Sequence, residues 1–155
     1  MTNTTTVTVL FTNVVGNTAL RQRLGEPAAE RVLQDHNKLV RDQIGPCGGR
    51  EVKTIGDSFM VAFDSARKAV DCAIAIQRAL ADRNRTNPGE QVQVRIGINT
   101  GEATEEQGDL FGTAVNAAKY IEGKAQPDQI LVPETVKALI GRERTSRSST
   151  AAASA

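Results

Sequence analysis

Residues 51–63, EVKTIGDSFMVAF, contain the clearest topological signal in the chain. Two short runs, EVKTI and SFMVAF, flank the pair Gly56–Asp57. Because glycine accepts the positive φ angles of tight turns, this pattern predicts a β-hairpin with a two-residue turn. The hairpin implies an antiparallel sheet, and the turn is expected to leave Asp57 exposed at its tip.

The flanking sequence supplies further strands. Residues 6–12, TVTVLFT, alternate β-branched and apolar side chains, which is typical of a central strand. Residues 91–101, QVQVRIGINTG, and the short run QILV at 129–132 predict two more strands. If the first strand neighbours the hairpin, positions 13 and 57 come close together.

Helical spacing of apolar residues accounts for most of the remaining chain. It predicts helices at residues 26–44, 64–84, 112–123 and 133–140. Asp64 is the expected N-cap of the second helix, and Gly123 is the expected end of the third. His36 falls on the apolar face of the first helix, which indicates a packed core histidine.

This order of elements predicts an α+β fold, with a ferredoxin-like, antiparallel-rich sheet and helices packed on it. We expect one domain over residues 1–140. Residues 141–155, GRERTSRSSTAAASA, are polar and poor in large apolar side chains, so we predict a disordered tail.

Composition narrows the possible partners. The 155 residues have a net charge of +1 and only 3% aromatic residues, which argues against nucleic acid and anionic membranes. No apolar run is long enough to span a bilayer, and no signal segment starts the chain. Cys47 and Cys72 lack metal-motif spacing and are interpreted as reduced thiols. We therefore expect a cytoplasmic protein without membrane contact.

Three places concentrate residues suited to phosphate chemistry. The turn at 13–18, NVVGNT, can bring backbone N–H groups to a phosphate. The hairpin carries Lys53 and Asp57, and Asp57 with position 13 could bind Mg²⁺. Asn116 and Tyr120 share one face of the third helix. Taken separately, each feature has an ordinary structural explanation: a turn, a solvated lysine and a hydrogen-bonding amide.

Two familiar kinds of site are excluded by the sequence. It contains no GxxxxGK[ST] loop, so an ordinary P-loop nucleotidase is ruled out. Its single histidine, His36, is assigned to a helix face, which leaves no plausible Ser-His-Asp set.

Four stretches, in order, resemble the catalytic domain of class III adenylate/guanylate cyclases. The similarity runs from Val7 to about Ile140. The stretches are VTVLFTNVVGNTAL, GGREVKTIGDSFMVAF, VRIGINTGE and GDLFGTAVNAAKYIE. The resemblance implies the class III cyclase fold and a homodimer with nucleotide sites shared between chains. It also implies conversion of ATP or another nucleoside triphosphate to a cyclic nucleotide and pyrophosphate.

The resemblance assigns the phosphate side of the site. Asn13 and Asp57 occupy the positions of the family's metal-binding aspartates, and the carbonyl of Val14 would be a further ligand for Mg²⁺ or Mn²⁺. The turn residues would hold the β- and γ-phosphates; they are Val15, Gly16, Asn17 and Thr18.

The resemblance also assigns the base and ribose side. Lys53 and Asp109 match the family's adenine-binding pair, whereas a guanylate cyclase would have a glutamate and a cysteine or similar there. Arg95 matches a strand arginine of the substrate site. Asn116 matches the ribose-orienting asparagine, and Tyr120 stands where the family has a transition-state arginine.

The departures from the family pattern bear on activity. Asn13 offers a neutral oxygen in place of an anion, and Tyr120 cannot supply a fixed positive charge. A strand hairpin that carries a phosphate-binding lysine in the family is absent or strongly reduced here.

Four hypotheses remain from the sequence. The first is a weak adenylate cyclase. The second is a catalytically degraded regulator that binds nucleotide or another cyclase chain. The third is a cyclase with another nucleotide preference, and the fourth is a structural dimer module.

Overall fold

The computed structural model describes residues 3–141 and 151–153. The strands are β1 (Asn3–Val15), β2 (Arg50–Ile55), β3 (Ser58–Phe63), β4 (Gln93–Glu106), β5 (Asp109–Phe111), β6 (Ile130–Val132) and β7 (Ala151–Ala153). The helices are α1 (Asn17–Leu24), α2 (Glu26–Ile44), α3 (Ala66–Thr86), α4 (Thr113–Lys124) and α5 (Glu134–Gly141).

The sheet has the order β2-β3-β1-β4-β6-β7, with β5 paired to β4 outside this path. β1 is antiparallel to both β3 and β4, and β2 is antiparallel to β3. Only the pairings of β4 with β6 and of β6 with β7 are parallel among the described strands. The predictions of an α+β fold, of the hairpin and of its place beside β1 are confirmed.

Side chains that alternate along β1 build a core on each face of the sheet. Leu10 and Val14 belong to the larger core, which α1, α2, α3 and α5 complete. Val9 and Phe11 point to the other face, where α4 contributes Val115 to a second core. The strand therefore separates a four-helix face from the α4 face.

The position of α4 depends on glycine in β4. A Cβ atom at Gly97 would lie 2.3 Å from the backbone nitrogen of Glu122, and one at Gly101 would lie 2.7 Å from Cβ of Ala114. Because neither glycine has a Cβ, the helix lies directly against the strand.

His36 is fully buried in α2, as predicted, and its ring packs edge-on against Phe59 at a centroid distance of 6.1 Å. Nδ1 lies 2.8 Å from Oδ1 of Asn37, whereas Nε2 is buried without a hydrogen-bond partner among the described residues. Burial lowers the pKa of His36, although the Asn37 contact and the charge of Asp57 oppose this shift.

Several predicted boundaries were wrong. Ser65, not Asp64, caps α3, because its side chain accepts a hydrogen bond from the Lys68 amide. α4 continues through Gly123 to Lys124, since the backbone at Gly123 is not in the left-handed conformation of a helix stop. β4 extends beyond the predicted end, and the short strand β5 pairs with that extension.

The predicted disordered tail falls largely outside the described residues, at 142–150 and 154–155. Of residues 141–155, the structure describes Gly141, which ends α5, and Ala151–Ala153, which forms β7 beside β6. Among the described helices, none combines the length and apolar character needed to cross a bilayer. Cys47 and Cys72 are both free thiols.

Candidate active site

A cleft of about 530 Å³ lies between the β2–β3 hairpin and α4, and we call it the α4 cleft. Its walls combine apolar rings with amide and ammonium groups. The residues used below are Phe11, Lys53, Ser58, Phe111, Asn116 and Lys119. Three predicted regions of the sequence therefore meet here: the first strand, the hairpin and the third predicted helix.

Lys53 and Asp109 form an ion pair at this cleft. Nζ of Lys53 donates to Oδ2 of Asp109 over 2.9 Å, and the Leu110 amide donates to Oδ1 of Asp109 over 2.7 Å. The hydrogen bond from Lys53 is the main cause that lowers the pKa of Asp109. The pair thus holds a charged donor and a charged acceptor side by side, although 56 residues separate them in sequence.

Asn13 lies near the end of β1, half-buried on the α4 face. Its Oδ1 accepts a hydrogen bond from Oγ of Ser58 over 2.8 Å, and its register partner in β4 is Arg95. The amide oxygen therefore already has one partner in the free chain.

Asp57 is half-buried at the hairpin turn, so the expectation of an exposed tip was wrong. Nδ2 of Asn17 donates to Oδ2 of Asp57, and Oδ1 of Asn17 accepts from Nε of Arg21 over 2.8 Å. Asp57 is next in sequence to Ser58, the partner of Asn13, so the turn lies beside the end of β1.

The oxygen atoms at the hairpin turn and at the end of β1 fit only a weak divalent-cation site. Within residues 3–141 and 151–153, no group of three or more His, Cys, Asp or Glu side chains could hold a metal ion. One carboxylate, one amide oxygen and a backbone carbonyl are available, from Asp57, Asn13 and Val14. Mg²⁺ is commonly bound by one or two carboxylates together with substrate phosphates and water. The set therefore suits a cation that arrives with a polyphosphate.

The turn at 15–18 leads into α1. Gly16 adopts the left-handed conformation, with φ 72° and ψ 35°, at the N-cap of α1, and no side chain caps this helix. Val15 and Gly16 line a separate cleft of about 510 Å³ with Arg23 and Gln93. In one chain, the turn thus opens onto a different cleft from Lys53 and Asn116.

Asn116 and Tyr120 differ in position although they lie on consecutive turns of α4. Asn116 lines the α4 cleft, whereas Tyr120 is not among its lining residues. Tyr120 is 60% exposed, and Nζ of Lys124 lies 5.2 Å from its ring centroid. The side chain at position 120, where the resemblance places an arginine, is therefore largely exposed and does not line this cleft in the single chain.

Sequence reasoning missed one residue beside the cleft, Glu122. Glu122 is 1% exposed, and its carboxylate binds both Nε of Arg95 over 2.7 Å and Nζ of Lys119 over 2.9 Å. Arg95, predicted to bind substrate, is thus engaged with Glu122 in the free chain. A signal was present, because Glu122 follows Val115 and Ala118 on the buried face of α4.

Residues 1–152 match the family described as the adenylate and guanylate cyclase catalytic domain. The chain belongs to this cyclase family. The putative adenylate cyclase 3 of Rhizobium meliloti (strain 1021) is 33% identical over 129 residues, which are 83% of this chain and 22% of that protein. The adenylate cyclase of Streptomyces coelicolor (strain ATCC BAA-471 / A3(2) / M145) is 32% identical over 142 residues, or 92% of this chain and 36% of that protein.

Solved structures place the cyclase domain in the same fold. The adenylate/guanylate cyclase/hydrolase from Silicibacter pomeroyi superposes with a TM-score of 0.83 at 33% identity, covering 94% of this chain and 85% of that one. The predicted family and fold class are confirmed. The cyclase domain described here spans only about a fifth to a third of the two relatives named above.

Proposed function

We propose that this chain is a weak adenylate cyclase, which converts ATP to cAMP and pyrophosphate between two copies of the chain, with Mg²⁺ or Mn²⁺. The observation that carries the proposal is the Lys53–Asp109 ion pair at the α4 cleft. Because adenine presents an acceptor at N1 and a donor at N6, an ammonium donor beside a carboxylate acceptor complements its edge. ATP is an intracellular nucleotide, so the reaction also places the chain in the cytoplasm.

Base binding would be the task of Lys53 and Asp109. A lysine ammonium has three N–H donors, and one suffices for Asp109, so others remain for a ring nitrogen. Asp109 keeps acceptor capacity beside its bonds to Lys53 and Leu110. Asn116 lies in the same cleft and would orient the ribose by hydrogen bonding. We call Lys53, Asp109 and Asn116 the base-binding region.

Phosphate binding would be the task of a second group of residues. Asp57, Asn13 and the Val14 carbonyl would hold the divalent cation, and residues 15–18 would hold phosphate oxygens. We call this group the phosphate-binding region. A bound divalent cation lowers the negative charge on attacking and leaving oxygens. Because Asn13 is neutral and Tyr120 lies outside the cleft, we expect a low rate.

The separation of these regions supports a site shared between two copies of the chain. Residues 15 and 16 line a different cleft from Lys53 and Asn116 in one chain. A second copy would bring the phosphate-binding region of one chain to the base-binding region of the other. Ile55 and Phe111, which are 70% and 48% exposed, lie at the α4 cleft and would be covered by that copy.

The test is a cAMP assay with Mn²⁺-ATP on the chain and on the double variant Asn13→Asp, Tyr120→Arg. The variant restores a metal-binding carboxylate and a transition-state cation, and a single electrostatic contact at a reaction centre contributes roughly 10²–10³ in rate. We expect a slow wild-type reaction and a faster one in the variant. A folded, dimeric double variant that makes no cAMP would overturn the site assignment.

The second candidate is a regulator that binds nucleotide, or another cyclase chain, without chemistry. The bonds of Asp57 to Asn17 and of Asn13 to Ser58 favour it, because both candidate ligands are already satisfied by protein partners. Titration calorimetry with ATP and a non-hydrolysable analogue distinguishes the candidates, since binding without product supports the regulator. Competition among ATP, GTP, CTP and UTP in the same assay tests the nucleotide preference.

A further inference from the structure

We propose that Lys119, rather than the residue at the family's arginine position, presents the positive charge of α4 to the polyphosphate, and that Glu122 positions it. This inference rests on the proposed function, because it assigns a role within the same site. It concerns a residue one step along the helix from Tyr120.

The geometry favours Lys119 over its neighbour. Lys119 lines the α4 cleft with Lys53 and Asn116, and its Nζ lies 5.5 Å from the ring centroid of Phe11. The ammonium group therefore lies in the cleft of the base-binding region, which the phosphate-binding region of a second copy would face, whereas Tyr120 does not line that cleft.

The charges of Glu122 and its two partners do not cancel, and they leave a net positive charge beside the α4 cleft. One carboxylate is bound by two cations, Arg95 and Lys119, so the three groups together have one unit of positive charge. The other ammonium of the cleft, on Lys53, is matched by Asp109. The Glu122 cluster is thus the source of net positive charge among the described residues that line or adjoin the cleft.

Glu122 also fixes where that charge lies. Its carboxylate is buried, and its backbone is held against β4 by the close approach at Gly97. The bond from Lys119 to Oε1 uses one of three ammonium donors, which leaves others for phosphate oxygens. A cation positioned before the substrate arrives need not be reoriented during the reaction, which is what makes such groups effective.

The test compares Lys119→Met with Lys124→Met, a lysine of the same helix that contacts Tyr120. Binding of the Mn²⁺ complex of a non-hydrolysable ATP analogue is measured by calorimetry, and cAMP formation is measured in parallel. Because Lys119→Met loses one charge-assisted contact, we expect its affinity for the analogue to be weaker by about tenfold or more. Adenosine, which has no phosphates, should bind both variants as it binds the wild type.

A rescue variant separates a positioned charge from a packing role. Lys119→Arg should retain most of the affinity. Glu122→Gln should lower the rate of cAMP formation without the loss of affinity expected in Lys119→Met, because the ammonium remains but is less well fixed. Thermal melts check that each variant is folded. If Lys119→Met does not fold, Lys119→Gln replaces it in the same measurements.

Equal analogue affinity and rate in the wild type and Lys119→Met would overturn the role of Lys119 while leaving the proposed function intact. A wild type that binds neither the analogue nor ATP would overturn both.

Discussion

The base-binding and phosphate-binding regions differ in how completely they are built. In the first, Lys53 and Asp109, which we propose to bind adenine, already contact each other in the free chain. In the second, Asn13 replaces a carboxylate, and Asp57 is bound to Asn17. The groups proposed to select a base are thus more completely built than the groups proposed to act on phosphate. Substitutions in each region should therefore have separable effects.

The largest expected effect is in the phosphate-binding region. Asp57→Asn removes its one carboxylate, but the amide oxygen can still accept the Asn17 hydrogen bond, so the fold should persist. We expect cAMP formation from Mn²⁺-ATP to fall by roughly 10²–10³. Asp64→Asn, at an exposed carboxylate before α3, is the control. An unchanged rate in Asp57→Asn would show that the phosphate-binding region is not where the reaction occurs.

Gly97→Ala tests how the base-binding region is supported. The added Cβ would lie 2.3 Å from the Glu122 nitrogen, so α4 must move, at a cost of about 1–3 kcal/mol of unfolding free energy. Gly123→Ala, in the same helix with open space around it, should instead stabilise by about 0.5–1 kcal/mol. Urea unfolding measures both. Equal free energies of unfolding for the two variants would mean that α4 does not pack against β4 at Gly97 as described.

Lys53→Met should weaken binding of the adenine base without changing binding of the phosphates. The variant loses one charged hydrogen bond, so ATP affinity should fall about tenfold. Binding of inorganic triphosphate with Mn²⁺ should remain as in the wild type. The control Lys38→Met, at an exposed position of α2, should change neither ATP affinity nor triphosphate affinity. If triphosphate binding fell as much as ATP binding, Lys53 would belong to the phosphate-binding region instead.

The smallest expected effect involves His36, which lies in α2 behind the hairpin. Its folded-state pKa is below the ordinary value of 6.5, chiefly because of burial. The unfolded chain therefore binds more protons as the pH falls below about 6.5, and the fold loses stability down to the lowered pKa. Thermal melts from pH 7.5 to 5 should show a smaller decrease in His36→Phe than in the wild type. Parallel pH profiles for the two proteins would contradict this assignment.

Local sequence was sufficient where a residue type dictates its own conformation. Gly56–Asp57 between two apolar runs predicted the hairpin, and the alternation at residues 6–12 predicted a central strand, which β1 is. The pairing of Lys53 with Asp109 was reached only through the family resemblance, because the two residues lie on different strands.

Tertiary contacts decided what the sequence could not. β5 has three residues, too few to show a period. Gly123 suggested a helix end, but packing of Ile121 and Ala125 against Leu131 accompanies the continuation of α4. The bond from Asn17 to Asp57, the inward position of Lys119 and the double pairing of Glu122 all depend on how distant elements meet.

The two-sided pairing of β1 has a mechanical consequence. β4 is bonded to it over Asn3–Val15, and β3 is bonded over Thr8–Thr12. Backbone amides protected on both edges of a central strand exchange with solvent mainly through global unfolding. Asn13 and Val14 directly follow this doubly paired segment and remain paired with β4, whereas Asp57 lies on a turn. We therefore expect the spacing between Asp57 and the end of β1 to change more readily through the hairpin turn than through the strand.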